Sequence, residues 1–243
     1  MKVIILAGGF GTRLSEYTKT IPKPMVKIGP YPILLHIINH YLNYGFTEFY
    51  IASGYKSYII KKYFKNFKKS GKLFNHKIFN KKCKISIIDT GLSTLTGGRL
   101  KRVRPYLKKN EQFMFTYGDG VSNVNLKKLL NSHKKNKKII TVTAVRPPAR
   151  FGELIIKNNK VKSFREKPQT NHGWINGGFF VANYNFFNFI KSDKDILEKS
   201  PLEKALKLKE LNAFKHSGFW KCMDTVRDRN VLKEIYKKNK LKF

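Results

Sequence analysis

A short apolar strand that runs directly into a glycine-rich loop opens the chain. After Lys2, residues 3–6 are all apolar and mostly β-branched. Gly8, Gly9 and Gly11 follow them. Such a run is typical of a buried strand in an α/β sheet. The glycines allow a tight turn whose backbone N–H groups face phosphate oxygens, which the guanidinium of Arg13 can also bind. The segment therefore predicts a phosphate-binding loop on an α/β sheet.

This loop differs from two common phosphate-binding motifs. It lacks the Gly-Lys-Ser/Thr of a Walker A loop, and Leu14 stands where G-x-G-x-x-G requires its third glycine. A purely structural glycine turn is the alternative interpretation. The presence of Arg13 and the position after a strand favour phosphate binding.

Strand and helix patterns alternate along the rest of the chain. Further strands are predicted at 49–52, 84–88, 112–116 and 139–145, and helices at 33–42, 57–67, 98–107 and 126–136. Short strands follow at 153–156, 161–165 and 174–181, with final helices at 201–208 and 225–238. The alternation predicts a mixed, mostly parallel central sheet flanked by helices. Residues 66–82 are polar and turn-rich and have the weakest pattern of the chain, so we consider a mobile excursion there.

No linker or repeat divides the chain, so we expect one domain over residues 1–243. The apolar N-terminal run is too short for a signal peptide, and no stretch approaches the roughly 20 apolar residues that span a bilayer. We therefore expect a cytoplasmic protein with no membrane partner. Cys83 and Cys222 lack CxxC spacing, and we expect reduced thiols, although one disulfide is possible.

The formal net charge of +35 is the extreme value of the composition. Clustered lysine lowers the free energy of binding to polyanions, which would suit nucleic acid or an anionic membrane. Here the lysines are scattered over predicted helix faces, where solvation is the ordinary explanation. We therefore expect no nucleic-acid partner.

Three charged residues stand at positions that suit phosphate chemistry. Lys23 lies between two prolines, which restrict its backbone and favour phosphate binding over solvation. Asp119 follows the predicted strand 112–116, and open α/β sheets bind ligands at the carboxyl ends of their strands. A carboxylate there can hold Mg²⁺ together with substrate phosphates. Asp224 precedes the last helix and is by itself predicted to be an N-cap, with a second metal ligand as the alternative.

Two later segments suit contacts with a substrate. Glu166 and Lys167 offer a carboxylate for hydroxyl groups and an ammonium for a phosphate. Asn176 and Gly177 offer an amide side chain beside a backbone that a ligand can approach closely. Without the other motifs, Glu166 and Lys167 would be an ordinary surface pair.

Taken in order, these motifs resemble the sugar-nucleotide pyrophosphorylase family. Its pattern of G-G-x-G-T-R, a K-P lysine, a G-D metal site, E-K-P and N-G-G covers nearly the whole chain. Segments 89–100, 117–120, 146–152 and 218–225 are most similar to its glucose-1-phosphate cytidylyltransferase group. The resemblance implies a Rossmann-like nucleotide-diphospho-sugar transferase fold and the reaction of CTP with glucose 1-phosphate to give CDP-glucose and pyrophosphate, with Mg²⁺ as cofactor. We also expect a homo-oligomer.

The resemblance implies roles for individual residues. Asp119 and Asp224 would hold Mg²⁺, which replaces the N-cap interpretation of Asp224. The residues implied to be catalytic are Arg13, Lys23, Asp119 and Lys167. Those implied to bind the nucleotide are Leu6, Ala7, Gly8, Gly9, Phe10, Gly11, Thr12, Arg13, Lys23, Thr94, Arg99 and Gly118. Those implied to bind the sugar phosphate are Gly152, Glu166, Lys167, Asn176 and Gly177.

Two alternatives stay open at this point. The same chemistry could use dTTP, UTP or GTP, or another sugar 1-phosphate, because base recognition depends on backbone geometry that spacing does not reveal. A catalytically silent protein that binds nucleotides or nucleic acid could also keep the fold. The presence of Arg13, Lys23, Asp119, Lys167 and Asp224 together disfavours that second alternative.

Overall fold

The computed structural model has a mixed α/β architecture and describes residues 1–64, 72–147, 153–165 and 173–238. Its strands are β1 (Lys2–Ala7), β2 (Lys27–Ile28), β3 (Tyr31–Pro32), β4 (Glu48–Ser53), β5 (Phe74–Ile78), β6 (Lys81–Asp89), β7 (Gln112–Tyr117), β8 (Gly120–Ser122), β9 (Ile140–Val145), β10 (Glu153–Lys157), β11 (Lys160–Arg165), β12 (Ile175–Asn183), β13 (Leu211–His216) and β14 (Trp220–Cys222). Its α-helices are α1 (Ser15–Thr18), α2 (Ile33–Asn43), α3 (Ser57–Tyr63), α4 (Thr96–Val103), α5 (Leu126–Asn136), α6 (Ser200–Lys207) and α7 (Val226–Lys237).

An eight-stranded sheet lies at the centre, in the order β13-β9-β12-β7-β1-β4-β6-β5. Strand β1 runs parallel to both β4 and β7, β4 runs parallel to β6, and β9 runs parallel to β13. Strand β12 is antiparallel to β7 and β9, and β5 is antiparallel to β6. The sheet is therefore mixed and mostly parallel, which confirms the fold predicted from the sequence.

The order of strands reverses at β1. The chain places β4 and β6 on one side of β1 and then returns to place β7 on the other side. The ends of β1 and β7 lie side by side, with Leu6 opposite Tyr117. In open α/β sheets such a reversal opens a crevice at the carboxyl ends of the strands. The glycine loop after β1 and the loop after β7 meet there.

Two apolar layers cover the two faces of this sheet. Ile5 packs into one layer with Ile38 of α2, whereas the adjacent Ile4 packs into the other layer with Leu100 of α4. Both isoleucines of β1 are fully buried. A strand that is covered on both faces needs no polar alternation, which explains why residues 3–6 form a continuous apolar run.

A hairpin at the edge of the sheet begins in the region that was considered a mobile excursion. Strands β5 and β6 pair in antiparallel orientation across a turn at Phe79 and Asn80, whose φ angles are 46° and 63°. Strand β5 and the start of β6 were therefore not among the predicted strands. Lysine and asparagine are abundant here because an edge strand faces solvent. Residues 65–71, which include the end of the helix predicted at 57–67, lie outside the described part of the chain.

Other elements near the site also escaped prediction. Strands β8 and β14 have three residues each, and β13 is partly exposed along its length, so none shows a clear apolar pattern. The helix predicted at 98–107 is shorter, because α4 ends at Val103 and a 3₁₀ turn (Arg104–Tyr106) follows. Pro105 in that turn has no backbone N–H to continue the helix. Within the described ranges, no helix is both long and apolar enough to cross a membrane.

Candidate active site

The glycine loop lies over the carboxyl end of β1. Gly11 has a φ angle of 66°, a left-handed conformation that favours glycine, and a 3₁₀ turn (Thr12–Leu14) begins directly after it. At Gly8, a Cβ atom would lie 2.2 Å from Nη1 of Arg99. The backbone conformation thus favours glycine at position 11, and at Gly8 a Cβ atom would fit only if the guanidinium of Arg99 moved.

The buried guanidinium of Arg99 lies between the glycine loop and residues 90–92. Nη1 donates to Oγ1 of Thr90 and to the carbonyl oxygen of Gly91, each at 2.7 Å, and Nη2 donates to the carbonyl oxygen of Leu92 at 3.2 Å. Burial lowers the pKa of Arg99. These hydrogen bonds hold residues 90–92 beside Gly8, so Arg99 fills the space between that segment and the glycine loop.

One lysine bridges the two aspartates of the site. Nζ of Lys23 lies 2.6 Å from Oδ2 of Asp119 and 2.6 Å from Oδ1 of Asp224, and Nη1 of Arg13 lies 2.7 Å from Oδ2 of Asp224. Burial disfavours the charge on Lys23, but attraction by Asp119 and hydrogen bonds to both carboxylates outweigh it, so the pKa of Lys23 is raised. The lysine is therefore a fixed positive charge at neutral pH.

Backbone contacts bring these distant residues together. The N–H of Gly118 donates to the carbonyl oxygen of Leu6 at 2.9 Å, which joins the loop after β7 to β1. Strand β14 pairs with β8, and the N–H of Met223 donates to the carbonyl oxygen of Asp119 at 2.9 Å. The short strands that showed no sequence signal thus place Asp224 beside Asp119.

The glycine loop and the charged cluster line one cavity of about 790 Å³, a size that suits a small-molecule substrate. Most of the residues predicted from the sequence line it: Leu6, Ala7, Gly8, Gly9, Phe10, Gly11, Thr12, Arg13, Lys23, Thr94, Arg99, Gly118, Asp119, Asn176, Gly177 and Asp224. The other three, Gly152, Glu166 and Lys167, lie outside the described residues.

Comparison with known proteins identifies the family of this chain. The model of the nucleotidyl transferase family matches residues 2–223, which include the glycine loop, Lys23 and Asp119. The chain belongs to the nucleotidyl transferase family.

Two relatives and one solved structure show where this nucleotidyl transferase stands within the family. It is 46% identical over 250 residues to glucose-1-phosphate cytidylyltransferase of Salmonella typhimurium, covering 99% of this chain and 97% of that protein. It is 38% identical over 243 residues to the probable glucose-1-phosphate cytidylyltransferase of Bacillus subtilis, covering 94% of this chain and 93% of that protein. The crystal structure of HddC from Yersinia pseudotuberculosis matches with a TM-score of 0.72 and 25% identity, over 97% of this chain and 99% of that chain. The resemblance and the fold predicted from the sequence are confirmed.

Asp224 of this nucleotidyl transferase is not a helix cap. Oγ1 of Thr225 accepts from the N–H of Asp228 at 3.2 Å, and Oδ2 of Asp228 accepts from the N–H of Thr225 at 3.0 Å. This reciprocal pair is a capping box at the start of α7. The N-cap interpretation of Asp224 was therefore wrong, and its carboxylate instead faces Lys23 and Arg13.

The donor set at this cluster fits a hard divalent cation. Asp119, Cys222 and Asp224 each offer one ligand atom, and these atoms lie within 4.8 Å of one another. The ammonium of Lys23 already shows that the two carboxylates accept a shared positive charge. Burial and the neighbouring Asp119 raise the pKa of the Cys222 thiol, and a neutral thiol is a poor ligand for Mg²⁺. The two aspartates are therefore the residues that fit Mg²⁺.

The two cysteines of the nucleotidyl transferase are both free. Cys83 is buried on β6, and Cys222 lies at the cavity. Burial raises the pKa of Cys83 to about 11, so this thiol is a packing residue rather than a reactive one.

Several side chains that line the cavity were not predicted as site residues from the sequence, among them Tyr117, Glu198 and Trp220. Tyr117 directly precedes the Gly118–Asp119 motif, so its position near the site could have been inferred. Nε1 of Trp220 donates to the carbonyl oxygen of Gly177 at 2.7 Å. Glu198 lies 81 residues after Tyr117, in a segment with no recognisable motif, and only the tertiary structure brings it to the cavity.

Proposed function

We propose that this nucleotidyl transferase transfers the cytidylyl group of CTP to α-D-glucose 1-phosphate, giving CDP-glucose and pyrophosphate. The observation that carries the proposal is the bridge of Lys23 between Asp119 and Asp224 beside the glycine loop. This arrangement offers positive charge and a metal site next to a phosphate-binding backbone. The choice of base and sugar is supported by the similarity to the cytidylyltransferase of Salmonella typhimurium.

The proposed chemistry is an in-line displacement at phosphorus. A phosphate oxygen of glucose 1-phosphate attacks the α-phosphorus of CTP, and the bond from that phosphorus to the oxygen bridging to the β-phosphate breaks. Pyrophosphate leaves on the side opposite to the attacking oxygen. No protein nucleophile and no covalent intermediate are needed, so catalysis consists of positioning and charge stabilisation.

In this proposal, residues that line the cavity supply both the positioning and the charge stabilisation. Backbone N–H groups of the glycine loop bind triphosphate oxygens, while Lys23 and Arg13 neutralise the charge of the two anionic substrates. Asp119 and Asp224 would hold Mg²⁺, which would neutralise further phosphate charge. The carboxylates also hold Lys23 protonated and in place.

The remaining assignments follow the family resemblance. Asn176 and Gly177, which line the cavity, are proposed to contact the sugar, and Thr94 and Arg99 the nucleotide. Gly152, Glu166 and Lys167 keep the sugar and phosphate roles that the resemblance implies. We place the reaction in the cytoplasm, where nucleoside triphosphates are available. A homo-oligomer stays a prediction, which light scattering coupled to size-exclusion chromatography would test.

The proposal is tested by measuring pyrophosphate release with Mg²⁺ and glucose 1-phosphate, with CTP, dTTP, UTP, GTP and ATP compared side by side. We expect kcat/KM to be highest with CTP. A preference for another nucleotide would keep the mechanism and overturn the assignment of the base. Mannose 1-phosphate and galactose 1-phosphate serve as controls for the sugar. If no pair releases pyrophosphate, the chain is a nucleotide-binding protein rather than an enzyme.

A further inference from the structure

Four side chains form a continuous hydrogen-bonded chain along the wall of the cavity. Oγ1 of Thr96 donates to Oε2 of Glu198 at 3.0 Å, and the hydroxyl of Tyr117 donates to Oε1 of Glu198 at 2.5 Å. Nδ2 of Asn176 in turn donates to the hydroxyl oxygen of Tyr117 at 3.2 Å. All four residues line the cavity. The chain therefore links α4, β7 and β12 through one carboxylate.

The donors and acceptors in this chain fix the orientation of Asn176. A carboxylate can only accept, so the single hydroxyl proton of Tyr117 is directed to Glu198. The hydroxyl oxygen of Tyr117 is then an acceptor toward Asn176, whose amide nitrogen must face it. Oδ1 of Asn176 accepts from the N–H of Gly178 at 2.8 Å, which agrees with this orientation. Glu198 thus sets the direction of the Tyr117 hydroxyl, and that hydroxyl and the N–H of Gly178 together hold the amide of Asn176.

A carboxylate in this position carries an electrostatic cost. The cavity is proposed to bind two anionic substrates, and a negative charge on its wall repels their phosphates. An amide of the same size would fill the same volume without that repulsion. The charge is useful because a carboxylate accepts hydrogen bonds more strongly than an amide. Burial and Glu198 raise the pKa of Tyr117, so the phenol stays a neutral donor at every working pH.

Other parts of the site are held independently of Glu198. The N–H of Gly118 bonds to Leu6, which fixes the loop that carries Asp119. The start of α4 is fixed by bonds from the N–H groups of Leu95 and Gly97 to the carbonyl oxygens of Asp193 and Asp195, at 2.8 and 2.9 Å. Removing the charge of Glu198 should therefore leave the metal site and the neighbouring loop in place.

We propose that Glu198 is a positioning residue for the sugar-phosphate subsite, which acts by orienting Tyr117 and, through Tyr117, the amide of Asn176. The inference rests on the proposed function, in which Asn176 contacts the sugar. Glu198 sets affinity for the sugar phosphate rather than affinity for the nucleotide. The chemical class of ligand that it serves is a hexose, whose hydroxyl groups need amide partners of defined orientation.

The test compares Glu198→Gln and Tyr117→Phe with the wild-type protein. We expect KM for glucose 1-phosphate to rise about 10-fold in each variant, because Glu198→Gln weakens the charge-assisted hydrogen bond and Tyr117→Phe removes it, while KM for CTP changes less than about twofold. The matched control is Glu203→Gln, which removes an exposed glutamate of α6 outside the cavity and should change neither KM. Thermal unfolding of each variant verifies that it is folded.

A double variant separates positioning from independent local effects. Because both substitutions break the same chain, Glu198→Gln in a Tyr117→Phe background should raise KM for glucose 1-phosphate little further. The proposal would be overturned if the increases in KM for glucose 1-phosphate of the two single variants multiplied in the double variant. It would also be overturned if KM for CTP rose equally, or if folded Glu198→Gln kept the wild-type KM for glucose 1-phosphate. Calorimetric titration with glucose 1-phosphate measures binding without turnover. If the wild-type protein neither binds nor turns over a sugar phosphate, the proposed function is wrong, and this inference is wrong with it. If the wild-type protein is active and both variants have the wild-type KM for glucose 1-phosphate, only this inference is wrong.

Discussion

A lysine held between two carboxylates is the residue-scale arrangement that distinguishes this site from an ordinary glycine turn. Asp119→Asn keeps the size of the side chain but removes charge beside Lys23 and one proposed metal ligand. We expect kcat to fall about 100-fold or more, since charge stabilisation at phosphorus is the main catalytic contribution. Steady-state pyrophosphate release measures this. Asp89→Asn, which removes a carboxylate outside the cavity, is the control, and equal losses in both variants would contradict the assignment.

Adjacent glycines in the loop make a matched pair for stability. A Cβ on Gly8 would overlap the guanidinium of Arg99, whereas a Cβ on Gly9 would meet nothing within 4 Å. Gly8→Ala must displace Arg99 from its bonds to residues 90–92, and we expect it to lower the free energy of unfolding by about 2 kcal/mol. Gly9→Ala should stay within about 0.5 kcal/mol of wild type. Urea unfolding measures the free energy of unfolding of both variants. Similar values would show that Arg99 can move away from Gly8 without loss of stability.

A buried histidine should make stability depend on pH. Burial lowers the pKa of His40 from 6.5 to about 4. Between these values the unfolded chain binds a proton at this position that the folded protein does not, so stability is full above pH 6.5 and falls as the pH drops. From pH 7 to pH 5 this one group should cost about 2 kcal/mol of unfolding free energy. In urea unfolding, the free energy of unfolding of His40→Asn should therefore decrease less between pH 7 and pH 5 than that of the wild-type protein. An equal decrease would show that groups other than His40 cause the pH dependence.

At the scale of elements, the start of α7 connects helix stability to the metal site. Oδ2 of Asp228 accepts from the N–H groups of both Asp224 and Thr225, so the capping box also restrains the backbone of Asp224. Thr225→Ala removes the cap and should lower the free energy of unfolding by about 1 kcal/mol. It should also lower kcat, because Asp224 is less well positioned. Thr225→Ser retains the hydroxyl, and both properties should remain near wild type. Urea unfolding and pyrophosphate release measure the two effects; a stable, active Thr225→Ala protein would show that the cap is dispensable.

At the scale of the whole molecule, the charge of +35 acts against the compact state. Folding brings the cationic side chains closer together, and their repulsion is screened by salt. We therefore expect the midpoint of thermal unfolding to rise as NaCl increases from about 10 to about 200 mM, since the Debye length falls from about 30 Å to below 10 Å. Differential scanning fluorimetry measures the midpoint. A falling midpoint would mean that attractive ion pairs, such as those of Lys23, dominate the electrostatics.

Local sequence patterns were sufficient to predict the first strand and the mostly parallel central sheet. The apolar run at 3–6 predicted β1 because a strand covered on both faces needs apolar residues at every position, and the alternation that follows predicted a mostly parallel sheet. The glycine loop, Lys23 and Asp119 were predicted to belong to the site because each stands directly beside a strand end or a proline that restricts it, and all of them line the cavity. Strand β5 and the first three residues of β6 were missed because solvent-facing strands carry little apolar pattern, although the rest of β6 was predicted at 84–88.

The sequence by itself determined the order of the buried elements and the chemistry available to the site, because burial and backbone restriction act over a few neighbouring residues. Tertiary structure alone decided which distant side chains meet. Asp224 reaches Lys23 through the pairing of β14 with β8, although 201 residues separate the two. Glu198 reaches Tyr117 across 81 residues without any motif of its own. Such contacts depend on the path of the folded chain, which no local spacing encodes.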